Sequence, residues 1–380
     1  MRLPATDVVV IGAGAIGTGA AYELARAGLR VTVVDRRGVG QEASGANVGL
    51  VTVFSAHSLD EPDPGASYAL TMQSADAYLT LGEETGIDIE YERCGGILFA
   101  QSEDRLALIR TAFEGYRRHG VPVEWHDAAG LQACEPAFRA DGILGGVFCP
   151  LNGQLNPLML CRALAEGARR HKTAFLLGTN VESIEVGGGR ISSVRTGAGD
   201  IPCEYVVNAA GAWAADVGRM VGLPIPVSPG RGQILITEPV PRFIHRIVMG
   251  VSPSARQTRR GNVIIGSILE HAGYDKNVTL DTMSTFTRGV VDRYPGVRGL
   301  NVIRSWAGLR PMTPDHRPII EMMDEPRGFC LATGHSHRGI CWGAGTAQAV
   351  ADLVTGRLPR IPLEAFRLKR FETAKAMEAH

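Results

Sequence analysis

Six residues near the start, Gly12-Ala13-Gly14-Ala15-Ile16-Gly17, are spaced to cradle a pyrophosphate, and an acid follows at Asp35. Gly12 permits a tight turn, Gly14 lets backbone approach a phosphate, and Gly17 lets a helix pack close to a strand. The amides that open such a helix have no partner within it and carry the positive end of its dipole, so they suit an anion. Asp35 can accept hydrogen bonds from both hydroxyls of an adenosine ribose, and its charge repels a 2′-phosphate. These residues alone do not separate FAD from NAD. A second polar group lies near the other end of the chain: Arg310, then Gly334-His335-Ser336-His337-Arg338-Gly339. A guanidinium can hold a substrate carboxylate through two parallel hydrogen bonds. The alternative for Arg310 is an ion pair within the fold, and for the loop residues a role in holding the loop.

The elements that must position these groups are legible around them. Asp7–Ile11 is apolar and β-branched, the composition of a buried parallel strand. Ile16, Ala20, Leu24 and Ala27 recur at helical spacing before Gly28, and a second strand, Arg30–Val34, ends on Asp35. The loop over residues 36–49 is rich in small residues and offers Ser44 and Asn47 as donors to phosphate or ring carbonyl oxygens. Helices are predicted over Ser67–Thr85, Glu103–His119 and Leu158–His171, and strands over Ile97–Ala100 and Gly142–Cys149. Val181–Val186 and Arg190–Thr196 flank three glycines, a hairpin signal. Tyr205–Asn208 runs into Ala209-Ala210-Gly211-Ala212-Trp213, where small residues at a strand end admit a ligand. Pro224–Gly299 is richer in strand signal, clearest at Gln233–Thr237 and Asn262–Ser267. Finally Phe329–Thr333 reads as a strand and Ile340–Thr355 as a helix closed by Gly356. The start of that helix suits the anionic N1 side of a reduced flavin, a group nicotinamide lacks.

The chain has 380 residues, enough for two or three domains, and a formal net charge of zero, which gives no sign of a nucleic-acid footprint. Seven cysteines without CxxC spacing argue against a disulfide framework and against a metal or iron–sulfur site. Met1–Thr6 leads directly into the first strand, and no apolar run is long enough to span a bilayer. These features predict a cytoplasmic protein with reduced thiols.

Five stretches carry a resemblance: the N-terminal strand–helix–strand unit, Ser44–Asn47, Val206–Trp213, Gly308–Pro311 and Gly334–Ile340. In this order they resemble the FAD-dependent amine oxidoreductases related to D-amino-acid oxidase, glycine oxidase and sarcosine oxidase. The resemblance implies an α/β fold with a Rossmann-like FAD-binding domain, residues 1–80, 143–215 and 303–380. A β-sheet substrate domain of α+β type is expected over 81–142 and 216–302. It implies hydride transfer from the α-carbon of an amino acid, imino acid or opine to flavin N5. It places FAD against Gly12, Gly14, Ala15, Ile16, Gly17, Asp35, Arg36, Ser44, Ala46, Asn47, Gly49 and Val181. Further contacts are expected from Ala210, Gly211, Trp213, Gly308, Arg310, His337, Arg338, Gly339 and Ile340. Arg310 and His337 are expected to meet the substrate.

Three departures refine these expectations. Gly308-Leu309-Arg310-Pro311 has no cysteine where the sarcosine oxidases attach their flavin, so non-covalent FAD is expected. The His and Arg that those enzymes place beside the flavin are missing near Asn47. His337 stands where glycine oxidases often carry Arg. Arg256-Gln257-Thr258 and the strand to Gly266 resemble the flavin subunit of multi-subunit opine dehydrogenases, hydroxyproline dehydrogenases and hydrogen-cyanide synthases. That likeness implies partner subunits and an acceptor other than oxygen, with the chain cytoplasmic or peripheral at the inner face of the membrane through partners. The alternatives are a self-sufficient oxidase and a subunit whose FAD is mainly structural. Gln257 either faces the pocket or satisfies a strand; Tyr274 either caps the pocket or packs; Met312 fills space beside Arg310.

Overall fold

The computed structural model describes residues 1–59, 61, 64–249 and 253–371. Eight helices among the described residues are α1 (Ala15–Arg26), α2 (Gly65–Thr85), α3 (Glu103–Arg118), α4 (Ala128–Cys134), α5 (Pro157–Arg170), α6 (Ala214–Arg219), α7 (Leu280–Arg293) and α8 (Gly339–Val354). Their ends follow local chemistry. Ser102, Asp127 and Asn156 cap α3, α4 and α5 with side-chain oxygens, and Gly86 closes α2 in a left-handed conformation.

Val8–Ile11 lies inside a six-stranded sheet, flanked by Tyr205–Asn208 and Val31–Asp35 in parallel register. Phe329–Thr333 and Ala174–Leu177 extend it in parallel, and Ile319–Met322 adds an antiparallel edge. The strands are apolar on both sides because both faces are covered. One face packs on α1, α5 and α8 through residues such as Leu24, Leu164 and Val350. The other buries Val9, Val206 and Leu331 against Ile184, Ile191 and Val194 of a three-stranded antiparallel sheet.

An eight-stranded sheet runs in the order Val302–Met312, Ser228–Pro239, Asn262–Gly266, Ser254–Gln257, Ile247–Met249, Gly96–Ala100, Gly145–Cys149 and Glu124–His126. All neighbours are antiparallel except Ile247–Met249 with Gly96–Ala100. α7 covers one face through Phe286 and Val290. α3 covers the other through Ile109, Ala112, Phe113 and Tyr116, the apolar stripe legible in its sequence. The strands Gly145–Cys149 and Val302–Met312 belong to this sheet, whereas the sequence division assigned both to the FAD-binding segments. Long-range pairing with Gly96–Ala100 and Ser228–Pro239 decides their membership. Residues 372–380, which that division also counted with the FAD-binding segments, lie outside the described residues.

Gln257 satisfies the fold and does not line the cavity described below. Its side-chain oxygen accepts from the amides of Phe243 and Ile244 at 2.8 and 3.0 Å, and its Nε2 donates to Gly261 O at 2.8 Å. Arg256 beside it is buried and donates to Val48 O, Gln154 Oε1 and Leu155 O. It ties the eight-stranded sheet to the loop that follows Asn47. Gln257→Ala leaves the amides of Phe243 and the buried Ile244 without their side-chain acceptor. We expect it to lower unfolding stability by about 3 kcal/mol, read from urea-unfolding midpoints of the two proteins.

Candidate cofactor and substrate cavity

The glycine-rich turn, the loop over 36–49 and the edge of the eight-stranded sheet enclose one cavity of about 750 Å³. Two helices begin at its wall. α1 has Gly14 at its N-cap and α8 has Arg338; neither has a side-chain cap or an acid in its first turn. Their dipoles and free amides are therefore open to an anion. A methyl group at Gly12 would overlap the Ala209 carbonyl, so the turn requires glycine, and its φ of 109° requires it again. Ser44 Oγ accepts from the Ala15 amide at 2.9 Å, which draws the loop onto the start of α1.

Asp35 closes one end of the cavity. Its Oδ2 accepts from Ala13 N at 2.8 Å, and its Oδ1 from Arg37 N and Gly38 N at 2.7 and 2.9 Å. Three backbone donors fix the carboxylate and leave acceptor capacity for ribose hydroxyls. Trp213 stacks on Tyr274 at 5.5 Å, with the Arg36 guanidinium 3.7 Å from the centre of its ring. Tyr274 packs on Trp213 and is half exposed, outside the cavity lining.

The residues expected at the cofactor gather on this lining with two exceptions. Gly17 lies behind it, where a methyl would overlap the Gly12 carbonyl; its role is close helix–strand packing. Gly49 is also outside, pressed against the Leu155 carbonyl at a φ of 85°. Gly308 does line the cavity, and its bare backbone admits Ala46.

Arg310 is largely buried at the opposite end. Its guanidinium donates to Ile268 O at 3.1 Å and to Ser267 Oγ. No carboxylate among the described residues pairs with it, so the alternative of a structural ion pair does not hold. Burial pushes it down to about 10, which leaves it charged at neutral pH. The group lies across Gly232, where any Cβ would collide with it. Met312 packs against Gly230 beside it, a filling role.

The neighbouring histidines are stacked. His337 lies over His57 with ring centres 4.2 Å apart and planes within 13°, and His316 is 5.4 Å from His337. Burial, then His57 and Arg310, pushes His337 down to about 2; burial, then Arg338 and Arg310, pushes His57 down to about 3. Both imidazoles are neutral at working pH. The sequence reading had not singled out His57 or His316. His335 turns to Thr346, with Nε2 3.0 Å from its hydroxyl. Arg338, expected among the cofactor contacts, lines the cavity. Its guanidinium meets Glu61 at 3.3 Å and Thr71 at 3.3 Å and lies over Trp342.

Burial also pushes His335 down to about 3 from an ordinary value of 6.5. Between these values the unfolded chain binds a proton that the folded chain does not, so stability rises with pH through that window. We expect stability to fall as pH drops from about 6.5. His335→Gln should show a smaller loss between pH 7 and pH 4.5 in urea unfolding; an unchanged loss would remove His335 from the account.

The lining suits a flavin dinucleotide: a glycine cradle, an acid at a strand end and the start of a second helix. Comparison with known proteins agrees. A family model described as FAD dependent oxidoreductase matches residues 7–353. The chain is 32% identical to the hydrogen cyanide synthase subunit HcnC of Pseudomonas aeruginosa, covering 98% of each chain. It is 32% identical to the glycine oxidase of the same organism, covering 93% of this chain and 96% of that one. The crystal structure of L-proline dehydrogenase from P. horikoshii superposes with a TM-score of 0.90 at 25% identity, over 98% of this chain and 99% of that one. No helix among the described residues is long and apolar enough to cross a membrane. The chain belongs to the DAO family of FAD-dependent oxidoreductases, enzymes that bind FAD and oxidise amino acids.

Proposed function

We propose that this chain oxidises the α-carbon–nitrogen bond of an amino acid, imino acid or opine-type amine whose carboxylate rests on Arg310. One observation carries the reading: a largely buried guanidinium that lines the cavity and has no carboxylate partner among the described residues. Bound FAD supplies the acceptor for the hydride that leaves the substrate carbon. Ser267 and Ile268 occupy part of the Arg310 fork and fix its orientation; the rest is free for a charge-assisted pair. Gly12, Gly14, Ser44 and Asp35 would hold the dinucleotide, and the Gly339 and Ile340 amides would face its ring. The neutral imidazoles of His57 and His337 border the substrate end without competing for the carboxylate. FAD is held non-covalently on this reading. Cys341, the cysteine among the lining residues, accepts from Thr52 N and reaches Leu50 O.

Arg310→Leu should weaken substrate binding by about one to two orders of magnitude, the loss of one charge-assisted pair. FAD content should be unchanged. Normal substrate affinity in that variant would sink the assignment.

We further propose that the chain is the flavin subunit of a heteromeric dehydrogenase that passes electrons to a partner subunit or a respiratory acceptor. The likeness to a hydrogen cyanide synthase subunit supports this. So does the Arg338–Glu61 pair, which neutralises a cation that would otherwise help stabilise developing superoxide. The glycine oxidase likeness favours a second reading, a self-sufficient oxidase producing peroxide. Anaerobic reduction of the purified flavoprotein by a panel of amino acids, imino acids and opines tests the reaction, and native mass measurement tests the assembly. We expect flavin bleaching, slow return of colour in air and fast return with an artificial acceptor. Rapid peroxide formation by a single subunit would favour the oxidase; no bleaching by any amine would favour structural FAD.

A further inference from the structure

We propose that residues 270–279 form a strap that gates the cofactor. Tyr274 and Lys276 fasten it across the Asp35 end of the cavity, and FAD enters and leaves only when both let go. The inference rests on the reading that FAD occupies this cavity with its adenosine half at Asp35. It gives a role to two residues that lie outside the cavity lining.

The neck of the strap is fixed, and its tip reaches across to another part of the chain. Both ends are held by one strand, Ser228–Pro239. Gln233 Nε2 donates to Glu270 Oε2 at 2.7 Å and to Thr279 Oγ1 at 3.0 Å. The buried Arg231 donates to the same Glu270 oxygen at 3.0 Å. A loop whose ends are held this closely is a compact unit. From the neck, Tyr274 stacks on Trp213 at 5.5 Å and donates from its hydroxyl to Ala212 O at 3.3 Å. Lys276 Nζ meets Glu42 at 3.0 Å. Glu42 also pairs with Arg36 at 3.4 Å, and the Arg36 guanidinium lies 3.7 Å from the centre of the Trp213 ring. Trp213, Tyr274, Lys276, Glu42 and Arg36 therefore close a ring of side chains, completed by the strap backbone between Tyr274 and Lys276. Trp213, Glu42 and Arg36 line the cavity, yet the side chains of Arg36 and Glu42 are 38% and 21% exposed. The ring thus stands at the rim between cavity and solvent.

Trp213 and Glu42 come from different segments, the strand end after Asn208 and the loop over 36–49. A dinucleotide passing this rim has to part them, and the strap holds them together. Each fastening is modest alone, a part-exposed ion pair and an aromatic pair. Both are made between protein groups and need no cofactor, so they resist entry as much as exit. Loosening them changes rates and leaves affinity alone, whereas losing an ordinary binding contact mainly speeds release.

The test follows FAD release after dilution of the holoenzyme, read as the rise in flavin fluorescence. The time course gives the release rate, the plateau gives Kd, and their ratio gives the entry rate. Lys276→Met should speed release roughly two- to fivefold, the scale of a part-exposed ion pair. Tyr274→Ala should speed it roughly three- to tenfold, the scale of one aromatic pair with its hydrogen bond. In both variants entry should speed up by the same factor, with Kd within about twofold of wild type. Lys276→Arg, which keeps the ion pair, should keep the wild-type rates. Release no faster in either Lys276→Met or Tyr274→Ala, or faster release with entry unchanged, overturns the gate and leaves the cofactor reading intact. Gly14→Ala tests that reading, since a methyl group there enters the phosphate cradle and should weaken FAD binding at least about tenfold. Unchanged FAD affinity in Gly14→Ala overturns the placement of FAD, and the gate falls with it.

Discussion

A half-buried guanidinium without a carboxylate partner among the described residues is the constraint on which the substrate end of this molecule depends. Arg310 remains charged after burial, so the surrounding backbone must accommodate both its volume and its field. The strand register does the first. Gly232 faces Gly308 across the sheet: the bare backbone of Gly232 gives the guanidinium space, and that of Gly308 lets Ala46 close in. The second is done by Ile268 O and Ser267 Oγ, neutral acceptors that orient the group without cancelling its charge. The outcome is a fixed cation at the point where the eight-stranded sheet meets the loop after Asp35.

Two other buried arginines show what this arrangement is not. Burial also pushes Arg256 down to about 10, yet its donors end on Val48, Gln154 and Leu155, so it clamps sheet to loop. Arg338 ends on Glu61 and Thr71. One residue type therefore acts as clamp, ion pair and open ligand in a single chain. A hydrogen bond to a backbone carbonyl satisfies a donor, whereas only an anion balances the charge. The difference among the three lies wholly in their partners.

That dependence on partners explains what the sequence could and could not reveal. The unit from Val8 to Asp35 is local: strand composition, glycine spacing and terminal acid lie within thirty residues and need no distant contact to be read. The helices α3 and α5 and the hairpin glycines were legible for the same reason. α7 was missed inside a region rich in strand signal, because its buried residues, Thr282, Phe286 and Val290, make a sparse stripe among polar neighbours. His57 and His316 sit in segments without periodicity, and their relevance exists only through stacking on His337. Gln257 was ambiguous until its partners at Phe243, Ile244 and Gly261 were in view. Likewise, the membership of Val302–Met312 in the larger sheet depends on a strand some seventy positions earlier.

The zero net charge of the chain conceals a cavity that is polarised along its length. Asp35, Glu42 and Asp216 line it with Arg36 on one side, and Arg310 lines it with the Glu61-paired Arg338 on the other. The two uncapped helices, α1 and α8, would by themselves attract an anionic dinucleotide without fixing its direction. On the proposed reading, Asp35 removes that ambiguity: it receives ribose hydroxyls and repels any phosphate placed against it. Arg310 removes it again from the far end by reserving its charge for a small carboxylate.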